Sequence, residues 1–208
     1  MRFRDKFDGL VGPDLYRHAL FYNFAGGLRF ELSEGGSPLD QVLTALGKAS
    51  AICADVFAQE ACIQVHLQKY YPSSRFQLRH TLRELELAGL SIPRCREIWV
   101  EQVPTEEQDE GGDEEFWINL AFEVPKAKLQ NLLWCAFASD FGPLHPNPHC
   151  LVYLINPEQE IIVHPYDDRG MDVIGGKRAP LQKLYDAHKA WLLDYDIETM
   201  NRTFSSPL

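Results

Sequence analysis

Residues 150–164, CLVYLINPEQEIIVH, decide the fold. Two apolar runs, 150–155 and 160–164, flank residues 156–159, whose Asn and Pro favour a tight turn. The pattern predicts a β-hairpin, and its nearly continuous apolar character predicts that the hairpin lies inside a sheet.

Further stretches of the sequence, all before residue 150, also show strand patterns. Residues 20–24 and 28–32 flank Ala25-Gly26-Gly27 and predict a second hairpin. In residues 61–70, apolar Ile63, Val65 and Leu67 alternate with polar residues, which predicts a half-buried strand ended by Pro72. Two more strands are predicted at 98–103 and 116–124.

Helical patterns separate these strands. Ser37 is expected to cap a helix that ends near Ala58, and a second helix is expected to end at Gly89. A third helix is predicted over 126–139, and Pro180 begins a last one that continues to Tyr195. Residues 167–177 are predicted to be irregular. The inward positions expected on the first two helices are Leu39, Val42, Leu43, Leu46 and Val56, then Leu78, Leu82 and Leu85.

Hairpins combined with about four helices predict an α+β fold with a largely antiparallel mixed sheet. The 208 residues, of which 45% are hydrophobic, suffice for one sizeable core, so we expect a single domain over 1–208. Five widely spaced cysteines without a CxxC pair predict buried, reduced thiols. A charged N-terminus and the lack of a long apolar run predict a cytoplasmic protein that does not enter membranes.

Charge narrows the possible partners. Thirty acidic and twenty basic residues give a net charge of −10, which has the wrong sign for nucleic-acid binding. Seven of the acids lie in residues 104–115, which contain no base, and without them the net charge is −3. We expect this acidic loop to be solvated, with a docking role as the alternative. A basic protein is the partner that this charge favours.

Polar residues cluster directly after the apolar hairpin. His164, Asp167, Asp168, Arg169 and Asp172 could brace a turn, bind a basic group or supply an acid–base pair. We expect Asp168 and Arg169 to form the brace. Asp167 comes first after the strand and is the better candidate for function.

A metal site is the next alternative. His145, His149 and His164, together with Asp167 or Asp168, offer ligands that Zn²⁺ or Fe²⁺ uses. The prolines between the first two histidines forbid a regular helix and remove the geometric argument for their spacing. We therefore predict no bound metal and no cofactor. The chain also lacks the GxSxG, Walker A, GxGxxG and HExxH motifs.

Residues 20–32, LFYNFAGGLRFEL, together with YDDRGMDVI at 166–174 and WLLDYD at 191–196, resemble a bacterial family classed as domain of unknown function 3885. The resemblance spans about Leu15 to Phe204 and implies a bacterial cytoplasmic protein. It implies no activity and carries no catalytic residue or ligand. Two residues of the first stretch, Tyr22 and Arg29, complete the set of candidate binding residues with Asp167, Asp168, Arg169 and Asp172.

Size, acidity and the lack of a catalytic motif together favour a protein-binding module. Small acidic α+β domains of this kind include immunity proteins, so an immunity-type inhibitor of a basic toxin is the leading hypothesis. The alternative is an enzyme, such as a metal-assisted hydrolase, centred on His164, Asp167, Asp168 and Arg169.

Overall fold

The computed structural model describes residues 3–5, 9, 20–72, 75–103 and 115–205, without the side chains of 72 and 75–77. The acidic loop lies outside these residues except for Glu115. The described strands are β1 (Leu28–Glu31), β2 (Cys62–Pro72), β3 (Arg96–Gln102), β4 (Glu115–Pro125), β5 (Leu151–Asn156), β6 (Ile161–Pro165) and β7 (Gly170–Gly175). They form one antiparallel sheet in the order β1-β7-β6-β5-β2-β4-β3.

Helices accompany the sheet, so the fold is α+β as predicted. They are α1 (Leu20–Asn23), α2 (Pro38–Val56), α3 (Arg75–Leu87), α4 (Leu129–Phe137), α5 (Arg178–Ala187) and α6 (Ile197–Phe204), with short 3₁₀ turns at 126–128, 138–140, 189–191 and 194–196. Within the described residues, no helix combines the length and apolar character needed to cross a bilayer.

One face of the sheet packs on the helices and forms the main core. Its members include Ile52 of α2, Leu133 of α4 and Leu184 of α5, which pack with sheet residues such as Val152 and Val173. The opposite face carries a smaller cluster built on Leu20, Tyr153, Ile155, Ile162 and Ile174 with Ala121. Both faces of the central strands are therefore buried, which explains why residues 150–164 are almost continuously apolar.

Helix α2 begins where its sequence signal places it. Ser37 and Asp40 form a reciprocal capping box, with Pro38 in the first turn. The expected inward residues are only partly correct, because Leu39 and Leu43 are exposed. The buried stripe instead consists of Val42, Ala45, Ala49, Ile52, Cys53 and Val56.

The predicted hairpin at 20–32 is wrong. Residues 20–23 form the single helical turn α1, and β1 pairs with β7 rather than with its sequence neighbour. The backbone N–H of Phe21 donates to the Asp172 carboxylate at 3.1 Å, so the turn is held by a residue of β7. That contact spans 151 positions and left no local signal.

The prediction that residues 167–177 are irregular is also wrong, because β7 lies between β1 and β6. A charged residue, Asp172, interrupts its apolar pattern, yet Asp172 is fully buried because it pairs with Arg29. The last predicted helix ends at Ala187, and α6 follows separately. Tyr195, expected on its inner face, is 85% exposed.

Three further expectations have mixed outcomes. The β5–β6 hairpin and the end of α3 at Gly89 (φ +76°) are confirmed. Strand β2 is buried on both faces over residues 63–68 rather than half-buried, because Val65 and Leu67 join the main core while His66 packs between two aromatic rings on the other face. All five cysteines are free, but Cys62 and Cys95 are exposed, against the expectation of buried thiols.

Candidate functional site

The loop between β6 and β7 is braced by Asp167. Its carboxylate accepts hydrogen bonds from the backbone N–H groups of Arg169 at 2.8 Å and Gly170 at 3.0 Å. It also accepts two from the Arg169 guanidinium, of which the Nε bond is 3.0 Å. The expected brace between Asp168 and Arg169 is therefore wrong. An aspartate placed two residues before an N–H closes the turn through its own side chain.

Asp168 belongs to the same loop and is only 3% exposed. The Ser33 hydroxyl donates to its Oδ2 at 3.2 Å. Burial raises the pKa of Asp168 above its ordinary value, and the Ser33 hydrogen bond only partly opposes that effect. Ser33 was not among the predicted site residues, because it lies 135 positions away and has no distinctive sequence context.

Three of the predicted binding residues do come together, at the β1 end of the sheet. Arg29 Nε lies 2.8 Å from Asp172 Oδ1, and its Nη1 lies 3.4 Å from Oδ2 of Asp196. The Tyr22 hydroxyl donates to the same Asp196 Oδ2 at 3.0 Å. We term these four residues, Tyr22, Arg29, Asp172 and Asp196, the Arg29 network. Asp196 was missed as a site residue, although it ends the third quoted stretch.

The charged residues of the Arg29 network are largely withdrawn from water, whereas Tyr22 is 56% exposed. The Arg29 side chain is 12% exposed, and its guanidinium carbon lies 4.6 Å from the Tyr22 ring and 5.4 Å from the Tyr166 ring. Burial alone would lower the pKa of Arg29, but the hydrogen bonds and charge of Asp172 raise it above the ordinary value. Every charge in this network has a partner, so its geometry is that of a structural ion pair joining β1, β7, α1 and the segment before α6.

The three candidate metal-ligating histidines lie in two places. His164 projects from β6 and stacks on Tyr153 at 4.2 Å, while its Nδ1 donates to the Val152 carbonyl at 3.0 Å. His145 instead approaches Glu84 of α3, at 3.2 Å from Nδ1 to Oε2. His149 lies in the same proline-rich loop as His145. Across 20–72, 75–103 and 115–205, no three potential ligands converge as a metal site.

The loop that carries His145 and His149 is fastened by residues that the sequence did not single out. The backbone N–H of Asn147 donates to Glu84 Oε2 at 2.7 Å, and the hydroxyl of Thr81 donates to the Pro148 carbonyl at 3.0 Å. The Asn147 N–H is the main reason that the pKa of Glu84 falls below its usual value. This loop is ordered by α3, which explains its polar residues without any ligand.

The second face of the sheet holds a buried polar row. His66 Nε2 lies 2.9 Å from Asn119 Oδ1, which also accepts from Gln68 at 3.1 Å. The His66 ring stacks between Trp99 and Tyr153, at 5.1 and 5.4 Å. Burial lowers the pKa of His66 to about 4, so the imidazole is neutral near pH 7. The His66 side chain is therefore a structural group of this face of the sheet.

An exposed apolar surface lies at the β3 end of the sheet. Ile98 and Val100 are each 59% exposed and stand opposite Leu120 and Ile118 of β4. Phe116, opposite Gln102, extends the same face. These five residues, Ile98, Val100, Phe116, Ile118 and Leu120, are the β3 edge patch. Their alternate positions continue the face that is buried under helices elsewhere in the sheet, since Leu120 pairs with core residue Leu67.

The opposite face of β3 is covered. Glu97 accepts hydrogen bonds from the backbone N–H groups of Phe3 at 2.9 Å and Arg4 at 3.0 Å. The Arg4 guanidinium lies over the Trp99 ring at 5.4 Å. Among the described residues, β3 has one strand neighbour, and Ile98 and Val100 of the β3 edge patch are exposed beside its outer edge.

A known family matches the part of the chain that contains these residues. The model of the family described as domain of unknown function (DUF3885) matches residues 2–196. The chain belongs to this family. No curated protein and no solved structure matches the chain significantly.

The DUF3885 match covers all seven strands of the sheet and ends at Asp196. It therefore includes the whole Arg29 network and the β3 edge patch. Helix α6 lies beyond the match, although its Met200 is buried and its Asn201 accepts a 2.5 Å hydrogen bond from Tyr185. Polar residues that carry the resemblance to DUF3885 thus join β1 to β7, α1 and the segment before α6 at one end of the sheet.

Proposed function

We propose that this DUF3885 protein is a cytoplasmic protein-binding module that docks a basic protein on the β3 edge patch. The observation that carries the proposal is the exposure of Ile98 and Val100 on a strand that has one strand neighbour among the described residues. Natural proteins commonly protect such an edge with charge, a bulge or a covering segment. An extended segment of a partner would supply the missing strand and cover both side chains.

Charge favours a basic occupant. Residues 104–115, which join β3 to β4 and include the first residue of β4, contain seven of the thirty acidic residues, and a 2.9 Å hydrogen bond runs from Val103 N–H to the Glu115 carbonyl. Acidic residues beside an apolar contact surface accelerate the approach of a cationic partner and disfavour an anionic one. Inhibition of a basic toxin in the manner of an immunity protein is the specific form of this role.

The free state of all five cysteines supports a reducing compartment, where disulfides are rare. The alternative role as a metal-assisted hydrolase stays a prediction. Asp167 is hydrogen-bonded to Arg169, Asp168 to Ser33, and His164 to the Val152 carbonyl. These separate contacts give no observation that favours a shared catalytic centre.

The experiment compares two matched double variants. Ile98→Lys/Val100→Lys changes the β3 edge patch, whereas Leu39→Lys/Leu43→Lys makes the same change at equally exposed leucines of α2. Basic products of adjacent genes are purified and titrated against each form. We expect one of them to bind the native chain and the α2 variant equally, and the edge variant about 100-fold more weakly.

Two results would overturn the proposal. One is equal affinity of that protein for the edge variant and the native chain. The other is a native chain that binds none of these proteins but forms a stable dimer that the edge substitutions dissociate, because the edge would then serve self-association.

A further inference from the structure

A cavity of about 620 Å³ lies between the end of α2, the β5–β6 turn and α5. Its walls include Asp55 and Gln59 from the end of α2, Glu158 from the turn, and Lys177, Lys183 and Leu184 around α5. This volume falls within the range of small-molecule sites. None of these elements belongs to the β3 edge patch.

Asp55, in the acidic part of the cavity wall, is oriented by His188. His188 Nε2 lies 2.8 Å from Asp55 Oδ2, and the His188 ring stacks on Trp191 at 5.1 Å. The side chain of His188 is 10% exposed, whereas that of Asp55 is 56% exposed. A buried, stacked imidazole therefore orients a carboxylate that remains available to a ligand.

Some charged side chains of the other walls are paired within the protein, and others are available to a ligand. Lys177 pairs with Glu160 at 3.0 Å and donates to the Glu158 carbonyl at 3.0 Å, so it fastens the turn. Lys183 has no hydrogen bond or ion pair within the described part of the chain, and the same is true of the Glu158 carboxylate. The cavity thus presents one available ammonium and two available carboxylates beside an apolar wall.

We propose that this cavity binds a small zwitterion of the size of an amino acid or dipeptide. Its carboxylate pairs with Lys183, its ammonium pairs with Asp55 and Glu158, and short aliphatic groups contact Leu184 and Ala58. A ligand with charge of only one sign would leave the groups of the same sign beside it in repulsion. The recognition of both ends is what distinguishes a zwitterion site from a simple ion site.

The first test uses the dipeptide alanyl-alanine and two blocked forms, N-acetyl-alanyl-alanine and alanyl-alanine amide. Binding is followed by calorimetry and by amide chemical shifts on the whole chain. We expect the unblocked dipeptide to bind and to shift signals around α5 and the β5–β6 turn. Each blocked form loses the ion pairing of one end and is expected to bind about tenfold more weakly or not at all.

The second test uses Lys183→Gln, with Arg83→Gln on α3 as the matched control because Arg83 is also exposed. Lys183→Gln is expected to weaken dipeptide binding about tenfold and to leave the melting temperature unchanged. Asp55→Asn weakens binding similarly, and its melting curve shows whether loss of the His188 contact also affects folding. Absence of dipeptide binding, equal binding of the blocked forms, or equal loss in Arg83→Gln would overturn the proposal.

Discussion

The two edges of the sheet are built in opposite ways. Strand β1 has four residues, and its Leu28 and Phe30 are fully buried. Strand β3 has seven residues, and every second one is exposed. The chain covers the outer side of β1 with its own C-terminal segment, where Phe30 bridges Leu192 and Leu193 N–H donates to the Arg29 carbonyl at 2.9 Å.

The difference separates stability from recognition. At the β1 edge, the polar residues that carry the family resemblance form hydrogen bonds and ion pairs within the chain, and these contacts stabilise the sheet. At the β3 edge, the apolar side chains of Ile98 and Val100 are exposed, and a strongly acidic segment follows the strand in sequence. Substitutions at the first edge should therefore change folding, and substitutions at the second should change binding.

The largest effect on folding is expected for Asp172→Asn. This change leaves the buried Arg29 charge without its closest partner, and it should lower the free energy of unfolding by about 3 kcal/mol. Denaturant unfolding measures the loss. Glu198→Gln removes an exposed partner of Arg202 and is the control, with an expected change below about 0.5 kcal/mol. Equal small effects in both variants would mean that the Arg29 network does not secure the β1 edge.

A smaller loss is expected for Asp167→Asn, about 1–2 kcal/mol, because the carboxylate accepts four hydrogen bonds from Arg169 and Gly170. Asp168→Asn should leave stability unchanged or raise it, because it removes a buried carboxylate with a raised pKa. Melting curves of the two variants at pH 7 test the order. A greater loss in Asp168→Asn would restore the brace that we first predicted.

Asp168 also predicts a pH dependence. Its folded-state pKa is raised, so the folded state binds the proton more tightly than the unfolded chain. The resulting stabilisation is complete below the ordinary aspartate pKa and is lost as pH rises through the folded-state value. The stability of the native chain relative to Asp168→Asn should therefore increase as pH falls from 7 towards about 4. A difference that does not vary with pH would contradict this assignment.

The smallest effect on folding is expected at the open edge. Replacing residues 106–114 with a short Gly/Ser turn removes six acids and should change the melting temperature little if the segment is solvated, as its composition predicts, because solvated carboxylates have no buried partners to lose. The same change should slow association with the basic partner and flatten its dependence on salt. A loss of several kcal/mol would show that the segment is part of the folded core.

The sequence predicted those elements whose signals are local. The capping box of Ser37 and Asp40 located α2, and Asn156 and Pro157 located the β5–β6 turn. It failed where a distant residue decides the structure. Asp172 holds the helical turn at residues 20–23, and Arg29 allows this charged residue inside β7; neither effect can be derived from neighbouring residues.

The candidate site shows the same limit. Arg29, Tyr22 and Asp172 were identified from quoted stretches and do meet, but their role in closing the sheet required the position of Asp196. The roles of Asp167 and Asp168 were exchanged, because the order of residues in a loop does not show which carboxylate turns back onto the backbone. Exposure of Ile98 and Val100 also could not be derived, since their alternation fits a buried face equally well.

The Arg29 network has a consequence for the order of folding. Its hydrogen bonds join Tyr22 to Asp196, 174 positions apart, and Phe21 to Asp172, 151 positions apart. Closing such long loops is slow, and a chain under synthesis cannot complete these contacts until residue 196 has left the ribosome. Until then the outer edge of β1 is not covered by Leu192 and Leu193. A chain truncated before Leu192 would therefore expose the β1 edge in addition to the β3 edge patch and should aggregate during expression.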